Sequence, residues 1–146
     1  MNKLIFMVGV PGCGKTTYAN ENLKDCEILS SDKIREELFG NENDQSNNAL
    51  VFETLFDRAR SFLKEGKDVV IDATNVNVVE RAKALEHFKD LQVKRIAIVI
   101  NTPINKCIKQ DLNRNRTVGK FVIEKFAKIF TKPTKEEGFD EIICIN

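Results

Sequence analysis

Histidine is almost absent from this 146-residue sequence, and its four cysteines stand too far apart to form a CxxC pair. With His87 as the one histidine, we expect no zinc site and reduced cysteines, as in a reducing compartment. No apolar run approaches the roughly 18 residues that cross a membrane. The first apolar run, residues 4–8, leads directly into a glycine-rich loop, so we expect a core strand and not a signal peptide. A cytoplasmic protein that binds no membrane is therefore expected.

The sequence also has almost no net charge. The formal charge is +1, so we expect no overall attraction to nucleic acid. The charge is unevenly distributed, because residues 106–135 contain nine cations and two anions. The cations are Lys106, Lys109, Arg114, Arg116, Lys120, Lys125, Lys128, Lys132 and Lys135, and the anions are Asp111 and Glu124. Two interpretations stay open: a cationic surface near a phosphate site, able to attract a polyanionic acceptor, or a solvated helix face.

What the sequence does contain is a complete phosphate-binding motif. Residues 9–16, GVPGCGKT, fit G-x-x-x-x-G-K-[ST] at every fixed position, between an apolar run and a helix-compatible stretch. In such a loop, backbone N–H groups surround phosphate oxygens, Lys15 reaches the β- and γ-phosphates, and the Thr16 hydroxyl binds Mg²⁺. We therefore expect ATP or another nucleoside triphosphate as donor, with Mg²⁺; the alternative is a plain glycine-rich turn. The candidate donor-binding residues are Gly9, Pro11, Gly12, Cys13, Gly14, Lys15, Thr16, Thr17 and Arg114.

Repeats, low-complexity tracts and linkers are missing too, which favours one P-loop kinase domain over residues 1–146. Strand-like apolar runs alternate with segments of helical spacing, which predicts a parallel sheet with helices on both faces. The predicted strands are residues 3–8, 26–30, 68–72, 93–100 and 141–145, and the predicted helices include 49–63, 78–89, 104–113 and 121–130. The expected fold is α/β, the three-layer P-loop NTPase or kinase fold with a helical lid.

Asp32 and Arg35 follow the second predicted strand, at the sheet edge where parallel strands place their ligands. Phosphoryl transfer to an alcohol needs a carboxylate that orients the hydroxyl and accepts its proton. Arg35, three residues later, shares a helix face with Asp32 and offers a guanidinium to a neighbouring phosphate. The alternative is a helix start capped by Ser31 or Asp32, with an incidental pair to Arg35. Downstream of a phosphate loop, we favour the acceptor site.

Asp72 ends a predicted strand that is otherwise apolar. An acid at that point is suited to hold Mg²⁺ through water, or the Thr16 hydroxyl. No glutamate follows Asp72, which favours transfer to a bound acceptor over hydrolysis. Thr74 and Asn75 come next and are predicted to bind phosphate or acceptor; a strand-to-helix turn is the alternative for both.

Arg114 and Arg116 lie in a polar connector between two predicted helices. An arginine that reaches the transferred phosphate stabilises the transition state, and closure of a lid excludes water, so the connector is predicted to be a lid. The alternative is a solvated turn. Residues 105–108, NKCI, lack the acid of a guanine-specific NKxD motif, which disfavours a switch GTPase.

Taken together, these segments resemble the P-loop 5′-hydroxyl polynucleotide kinases of the phage and bacterial end-healing type, and the small predicted kinases grouped with them. The likeness rests on residues 9–16, 31–35, 72–75, 114–123 and 133–140. One departure is Gly119, which stands where the family often has proline. Another is that the sequence contains neither a DxDxT-type acid pair nor a ligase motif.

The resemblance implies roles for the residues of these segments. Lys15 and Thr16 would serve ATP and Mg²⁺. Asp32 would be the general base for a 5′-hydroxyl, and Arg35 would hold the phosphate on the 3′ side of the acceptor nucleotide. The lid arginines Arg114 and Arg116 would contact the donor phosphates, and which of the two is essential stays open.

The leading hypothesis is an ATP- and Mg²⁺-dependent kinase that phosphorylates a 5′-hydroxyl end of RNA or DNA. Its candidate catalytic residues are Lys15, Asp32, Arg35, Arg114 and Arg116; the candidate substrate-binding residues are Asp32, Arg35, Asp72, Thr74 and Asn75; the candidate metal ligands are Thr16 and Asp72. One alternative keeps the chemistry and changes the acceptor to a nucleoside, a metabolite or a tRNA-linked group. The other is a nucleotide-binding regulatory module without transferase activity. The oligomeric state is not predicted.

Overall fold

The computed structural model describes residues 1–114 and 117–146. Its strands are β1 (Lys3–Val8), β2 (Glu27–Ser30), β3 (Val69–Asp72), β4 (Lys94–Ile100) and β5 (Glu141–Ile145). They form one parallel sheet in the order β2-β3-β1-β4-β5. The predicted α/β class and the predicted strands are confirmed, with β2, β3 and β4 each beginning one residue later than predicted.

The described helices connect the strands. They are α1 (Lys15–Asn22), α2 (Ser31–Phe39), α3 (Asn48–Lys64), α4 (Val78–Glu86), α5 (Ile104–Leu112) and α6 (Lys120–Ile129), and a short 3₁₀ helix at Lys135–Glu137 precedes β5. Helix α4 ends three residues before the predicted limit. No helix within residues 1–114 and 117–146 has the length and apolarity needed to cross a membrane.

The two faces of β1 divide the core into two layers. Leu4, Phe6 and Val8 pack with residues of α2, α3 and α4, whereas Ile5 and Met7 pack with residues of α1, α5 and α6. This division follows from the alternation of side chains along a strand. Strands buried on both faces have no polar alternation, which is why β1, β3 and β4 read as continuous apolar runs in the sequence.

The register of the sheet brings three strand ends together. Met7 near the end of β1 and Ser30 at the end of β2 both pair with Asp72, the last residue of β3. The segments that follow β1 and β2 therefore begin beside Asp72, at the same edge of the sheet. This edge is where open parallel sheets bind their ligands.

Arg81, which the sequence analysis did not single out, is a buried arginine that connects segments distant in the sequence by hydrogen bonds. The guanidinium of Arg81 in α4 is fully buried and donates to both carboxylate oxygens of Glu137, at 2.7 and 3.2 Å. It also donates to the Asn75 carbonyl at 2.9 Å and to the Thr131 hydroxyl at 3.2 Å. Burial would raise the pKa of Glu137, but hydrogen bonds from Arg81 and Thr134 outweigh it and hold that pKa below its usual value. Arg81 thus joins four separate segments of the chain.

Replacing Arg81 tests this connection. In Arg81→Met the Glu137 carboxylate stays buried without its partner, so we expect the free energy of unfolding to fall by about 3–5 kcal/mol in urea titrations. The matched control is Arg60→Met, which removes the exposed pair between Arg60 and Asp90 and should cost at most about 1 kcal/mol. The double variant Arg81→Met/Glu137→Met should recover part of the loss, because no lone charge is left buried. Equal losses for Arg81→Met and Arg60→Met would contradict this assignment.

Candidate active site

The phosphate loop, residues 9–16, lies against α5. Gly12 has a φ of 82°, and a Cβ atom there would lie 2.6 Å from the carbonyl oxygen of Cys107, so only glycine fits. The Thr102 hydroxyl donates to the Cys13 carbonyl at 2.8 Å and fixes the loop from a second side. The Cys13 side chain is buried in the core beneath the loop, which agrees with a space-filling role for this thiol.

Lys15 is the first residue of α1 and is buried beside its own loop, where its ammonium group donates to the Val10 carbonyl at 3.1 Å. Pro11 is half-buried, whereas Thr16 and Thr17 are exposed on the first turn of α1. The N-terminus of α1 adds its positive dipole end to the charge of Lys15. A cation and the N-terminus of a helix therefore lie together at this loop, and these are groups that bind phosphates in such loops.

The Thr16 hydroxyl donates to the Asp72 carboxylate at 2.7 Å, across the boundary between the loop and the end of β3. Burial raises the pKa of Asp72 above its usual value, and the charge of Asp32 adds to the rise. The Thr16 hydrogen bond and the positive charges of Lys15 and Lys33 oppose it. Lys15 and Asp32 therefore both lie within electrostatic reach of Asp72. The structure brings these predicted residues to one place.

Asp32 lies in the first turn of α2, two residues beyond β2. The capping oxygen of this helix is the Ser30 hydroxyl, which accepts from the Lys33 amide at 3.3 Å, and not Ser31 or Asp32. The Asp32 carboxylate accepts from Arg35 Nη1 at 2.9 Å, and its side chain is 40% exposed, whereas that of Arg35 is 6% exposed. An acid with this exposure is accessible to solvent.

The guanidinium of Arg35 is held from two sides. In addition to the hydrogen bond from Nη1 to Asp32, Nη2 donates to the side-chain oxygen of Asn48, at the start of α3, at 3.0 Å. Its Nε is buried and has no hydrogen-bond partner among the described residues. A buried donor without a partner is uncommon in proteins and suits an anionic oxygen.

Thr74 and Asn75 follow β3 and hold the strand ends together. The Thr74 carbonyl accepts from the Gly9 amide at 3.0 Å, which joins the loop after β3 to the phosphate loop. Asn75 has a φ of 49°, and its side-chain amide donates to the Met7 carbonyl at 2.8 Å. These contacts support the alternative of a structural turn at Asn75.

Arg114 lies after α5 beside a buried carboxylate that the sequence analysis missed. Asp111, on α5, accepts from the Arg114 guanidinium and from the amides of Val118 and Gly119 at 3.1 and 2.9 Å. Burial would raise the pKa of Asp111, but these hydrogen bonds hold it below its usual value. An acid three residues before Arg114, in a segment rich in cations, was the sequence signal for this contact. Arg116, the other predicted lid arginine, lies outside the described residues.

Gly119 explains the departure from proline noted in the sequence. Its φ is 99°, a value that proline does not adopt, because the proline ring fixes φ at about −65°. Its amide donates to Asp111, and proline has no amide hydrogen. The start of α6 is therefore positioned by a glycine and an acid together.

Residues 4–133 match a protein-family model described as an AAA domain. A curated relative, the L-seryl-tRNA(Sec) kinase of Methanococcus maripaludis, is 26% identical over 151 residues, which cover 94% of this chain. The chain spans only 56% of the length of that relative.

Solved structures share the fold. A chain of the Pnkp1/Rnl/Hen1 RNA repair complex superimposes with a TM-score of 0.78 at 21% identity, over 87% of this chain and 43% of that one. Kti12 of Chaetomium thermophilum, in complex with ADP-AlF3, gives a TM-score of 0.73 at 14% identity, over 97% of this chain and 88% of that one. At these identities the likeness shows the fold alone, and the P-loop kinase fold predicted from the sequence is confirmed.

Asp72→Asn tests the charge at the end of β3. The variant keeps an oxygen for Thr16 and removes a charge that burial disfavours, so we expect a melting temperature higher by a few degrees, or about 3 °C per kcal/mol. The folded state raises the pKa of Asp72 above its usual 3.8, so the wild type loses stability as the pH rises through this window. In thermal unfolding without nucleotide or Mg²⁺, the gain should be near zero at about pH 4 and grow towards neutral pH.

The matched control is Asp90→Asn, for which we expect the melting temperature to fall and not to rise. The hydrogen bond from Arg60 lowers the pKa of Asp90 to about 2, so Asp90 contributes stability above its usual pKa and the variant should lose it there. A melting temperature for Asp72→Asn below that of the wild type throughout the series would contradict the assignment.

Asp111→Asn tests whether Asp111 holds Val118 and Gly119, the two residues before α6. The uncharged side chain has one acceptor oxygen in place of two and no ion pair with Arg114. Losing a buried hydrogen bond of this kind costs about 1–3 kcal/mol, so the amides of Val118 and Gly119 should exchange about 5- to 150-fold faster with solvent deuterium. Amide exchange measured by NMR checks this, with Asp90→Asn as the control. Unchanged exchange at both amides would show that Asp111 does not hold the segment.

Proposed function

The chain belongs to the AAA domain family whose model its residues 4–133 match, and from this membership we propose that it is a kinase that transfers the γ-phosphate of ATP, or of another nucleoside triphosphate, to an alcohol. The observation that carries the proposal is the Thr16–Asp72 hydrogen bond of 2.7 Å at the phosphate loop, with the accessible Asp32 in electrostatic reach. A donor site and a carboxylate for an incoming hydroxyl thus share one edge of the sheet.

The donor side fits ATP with Mg²⁺. The Thr16 hydroxyl and the Asp72 carboxylate are oxygen donors, the type that Mg²⁺ prefers, and they already contact each other. A cation beside Asp72 also favours the charged form of this buried acid. When bound there, Mg²⁺ neutralises charge on the donor phosphates. Lys15 and the loop amides would hold the same phosphates.

On the acceptor side, Asp32 would orient the hydroxyl and accept its proton. The Arg35 guanidinium holds the Asp32 carboxylate at 2.9 Å and so fixes its direction. The buried Nε of Arg35 is suited to an anionic oxygen of the acceptor. No second acid follows Asp72, so no residue there is placed to activate water, which favours transfer over hydrolysis.

The lid arginines would complete the site. Arg114 and Arg116 are proposed to contact the donor phosphates and to stabilise the charge that develops during transfer. Asp111 would act as a positioning residue, since it fixes Arg114 and the amides of Val118 and Gly119. Asp111 also lies against the phosphate loop, because a Cβ atom placed at Gly12 would be 3.3 Å from the Cβ atom of Asp111.

For the acceptor, we propose a hydroxyl on a tRNA-linked group or on a small molecule. The support is the curated relative, which is named an L-seryl-tRNA(Sec) kinase and aligns over 94% of this chain. This choice reverses the order of the hypotheses from sequence, which put a polynucleotide 5′-hydroxyl first. The second candidate stays the 5′-hydroxyl end of RNA or DNA, which the motifs of residues 9–16, 31–35 and 72–75 support through their resemblance to polynucleotide kinases.

The test is a transfer assay with γ-labelled ATP, Mg²⁺ and a panel of acceptors: seryl-tRNA, free nucleosides and metabolites, and 5′-hydroxyl oligonucleotides. We expect label on seryl-tRNA or a small molecule. Asp32→Asn should slow transfer by about 10²–10⁴-fold, the usual contribution of a general base. Lys15→Ala should abolish labelling as well.

Asp90→Asn and Lys89→Ala are the matched controls, since both residues form exposed ion pairs away from the site. Label on oligonucleotides alone would favour the second candidate. No label on any acceptor, or full activity in Asp32→Asn, would overturn the proposal.

A further inference from the structure

A cleft between α5 and α6 lies outside the candidate active site. Its volume is about 490 Å³. The cleft is lined by Ile104, Asn105, Ile108, Lys120, Glu124, Ala127 and Lys128. Aliphatic side chains therefore stand beside two lysines. Such a surface offers both contact with a flat apolar group and attraction to an anion.

Phe121 stands next to this cleft and is 88% exposed. It follows Lys120 directly, and helical spacing puts Phe121, Lys125 and Lys128 on one outward face of α6. An aromatic ring between lysines is the combination that single-stranded nucleic acid uses, with the base stacked on the ring and the phosphates near the cations. The sequence analysis assigned no such role, because helical spacing alone did not show that this ring is outside the core.

The charge around the cleft is strongly positive. Lys106 and Lys109 on α5 and the lysines of α6 are all exposed. Of the acids in this segment, Asp111 is buried against Arg114, and Glu124 lies 3.8 Å from Lys120. Within the described residues, no other ion pair reaches these lysines. The cationic interpretation of residues 106–135 is thus favoured over a merely solvated face, because the charge is gathered at a cleft with an exposed aromatic ring.

The position of the cleft relates it to the donor site. Helix α5 also packs on the phosphate loop, where the Cys107 carbonyl lies 2.6 Å from a Cβ placed at Gly12. Ile104 and Ile108 in the cleft and Cys107 at the loop are neighbours on the surface of α5, so a strand held in the cleft would lie close to the phosphate loop.

We propose that the α5–α6 cleft, with Phe121 and the lysines of α6, binds a single-stranded segment of nucleic acid, with one base stacked on Phe121. This inference rests on the proposed function only in that the bound strand would belong to the acceptor. It predicts that recognition of a tRNA-linked acceptor extends beyond the reacting hydroxyl. Binding through Lys120, Lys125 and Lys128 depends on salt, because each phosphate that a lysine neutralises releases a counterion.

The test is fluorescence anisotropy of a short fluorescein-labelled oligouridylate across a KCl series, without ATP. For Lys120→Gln/Lys125→Gln/Lys128→Gln we expect weaker binding and a fall of about 2 in the slope of log K against log salt, or about 0.7 per lysine. Phe121→Ala should weaken binding about fivefold or more and leave the slope unchanged, because stacking involves no counterion.

The matched control is Lys64→Gln/Lys83→Gln/Lys89→Gln, which removes the same number of charges from exposed positions of α3, α4 and the segment after α4. It should bind like the wild type. Equal weakening in both triple variants would overturn the proposal, as would normal binding by Phe121→Ala. Polyglutamate that competes as strongly as the oligonucleotide would overturn it too, in favour of an acidic protein segment. The readout needs no phosphoryl transfer, so its failure is separate from a failure of the proposed kinase activity.

Discussion

The parallel pairing of β1 with β3 sets the position of the phosphate loop relative to Asp72. It places Met7 opposite Asp72, so the phosphate loop that follows β1 begins beside the carboxylate that ends β3. Two hydrogen bonds then join the segments at the ends of β1 and β3. The Gly9 amide donates to the Thr74 carbonyl, and the side-chain amide of Asn75 donates to the Met7 carbonyl. Because β2 pairs with β3 in the same direction, Asp32 arrives at the same edge. The pairing of the three strands therefore brings the phosphate loop, Asp72 and Asp32 to one edge of the sheet.

The buried acids of the chain differ in how their charge is stabilised. Glu137 and Asp111 each receive several donors, including an arginine, and their pKa values are held below the usual range. Asp72 receives one hydroxyl, and burial raises its pKa. Groups whose charge is costly in the folded state are concentrated at functional sites. The contrast separates Asp72, which we propose serves a metal and a donor, from Glu137 and Asp111, whose partners are all within the chain.

Much of the fold was predictable because its signals are local. Buried parallel strands are continuous apolar runs, the phosphate loop is a contiguous motif, and Asp32 and Asp72 follow directly from the strands that position them. The Arg81–Glu137 pair was not predictable, because 56 residues separate the partners and no local pattern links them. The Ser30 cap was missed because three polar residues in a row offered equivalent candidates. The acceptor could not be decided from the sequence for a related reason: the roles proposed for Asp32 and Arg35 suit any alcohol beside an anion, so they do not choose between a polynucleotide end and a tRNA-linked group.

The glycine that precedes α6 limits which substitutions are tolerated at position 119. A proline at position 119 would remove a donor from Asp111 and would not adopt the dihedral angle found there. Replacing Asp111 first would leave two backbone amides and Arg114 without their shared acceptor. Positions 111 and 119 are therefore coupled, so the effect of a substitution at one of them depends on the residue at the other.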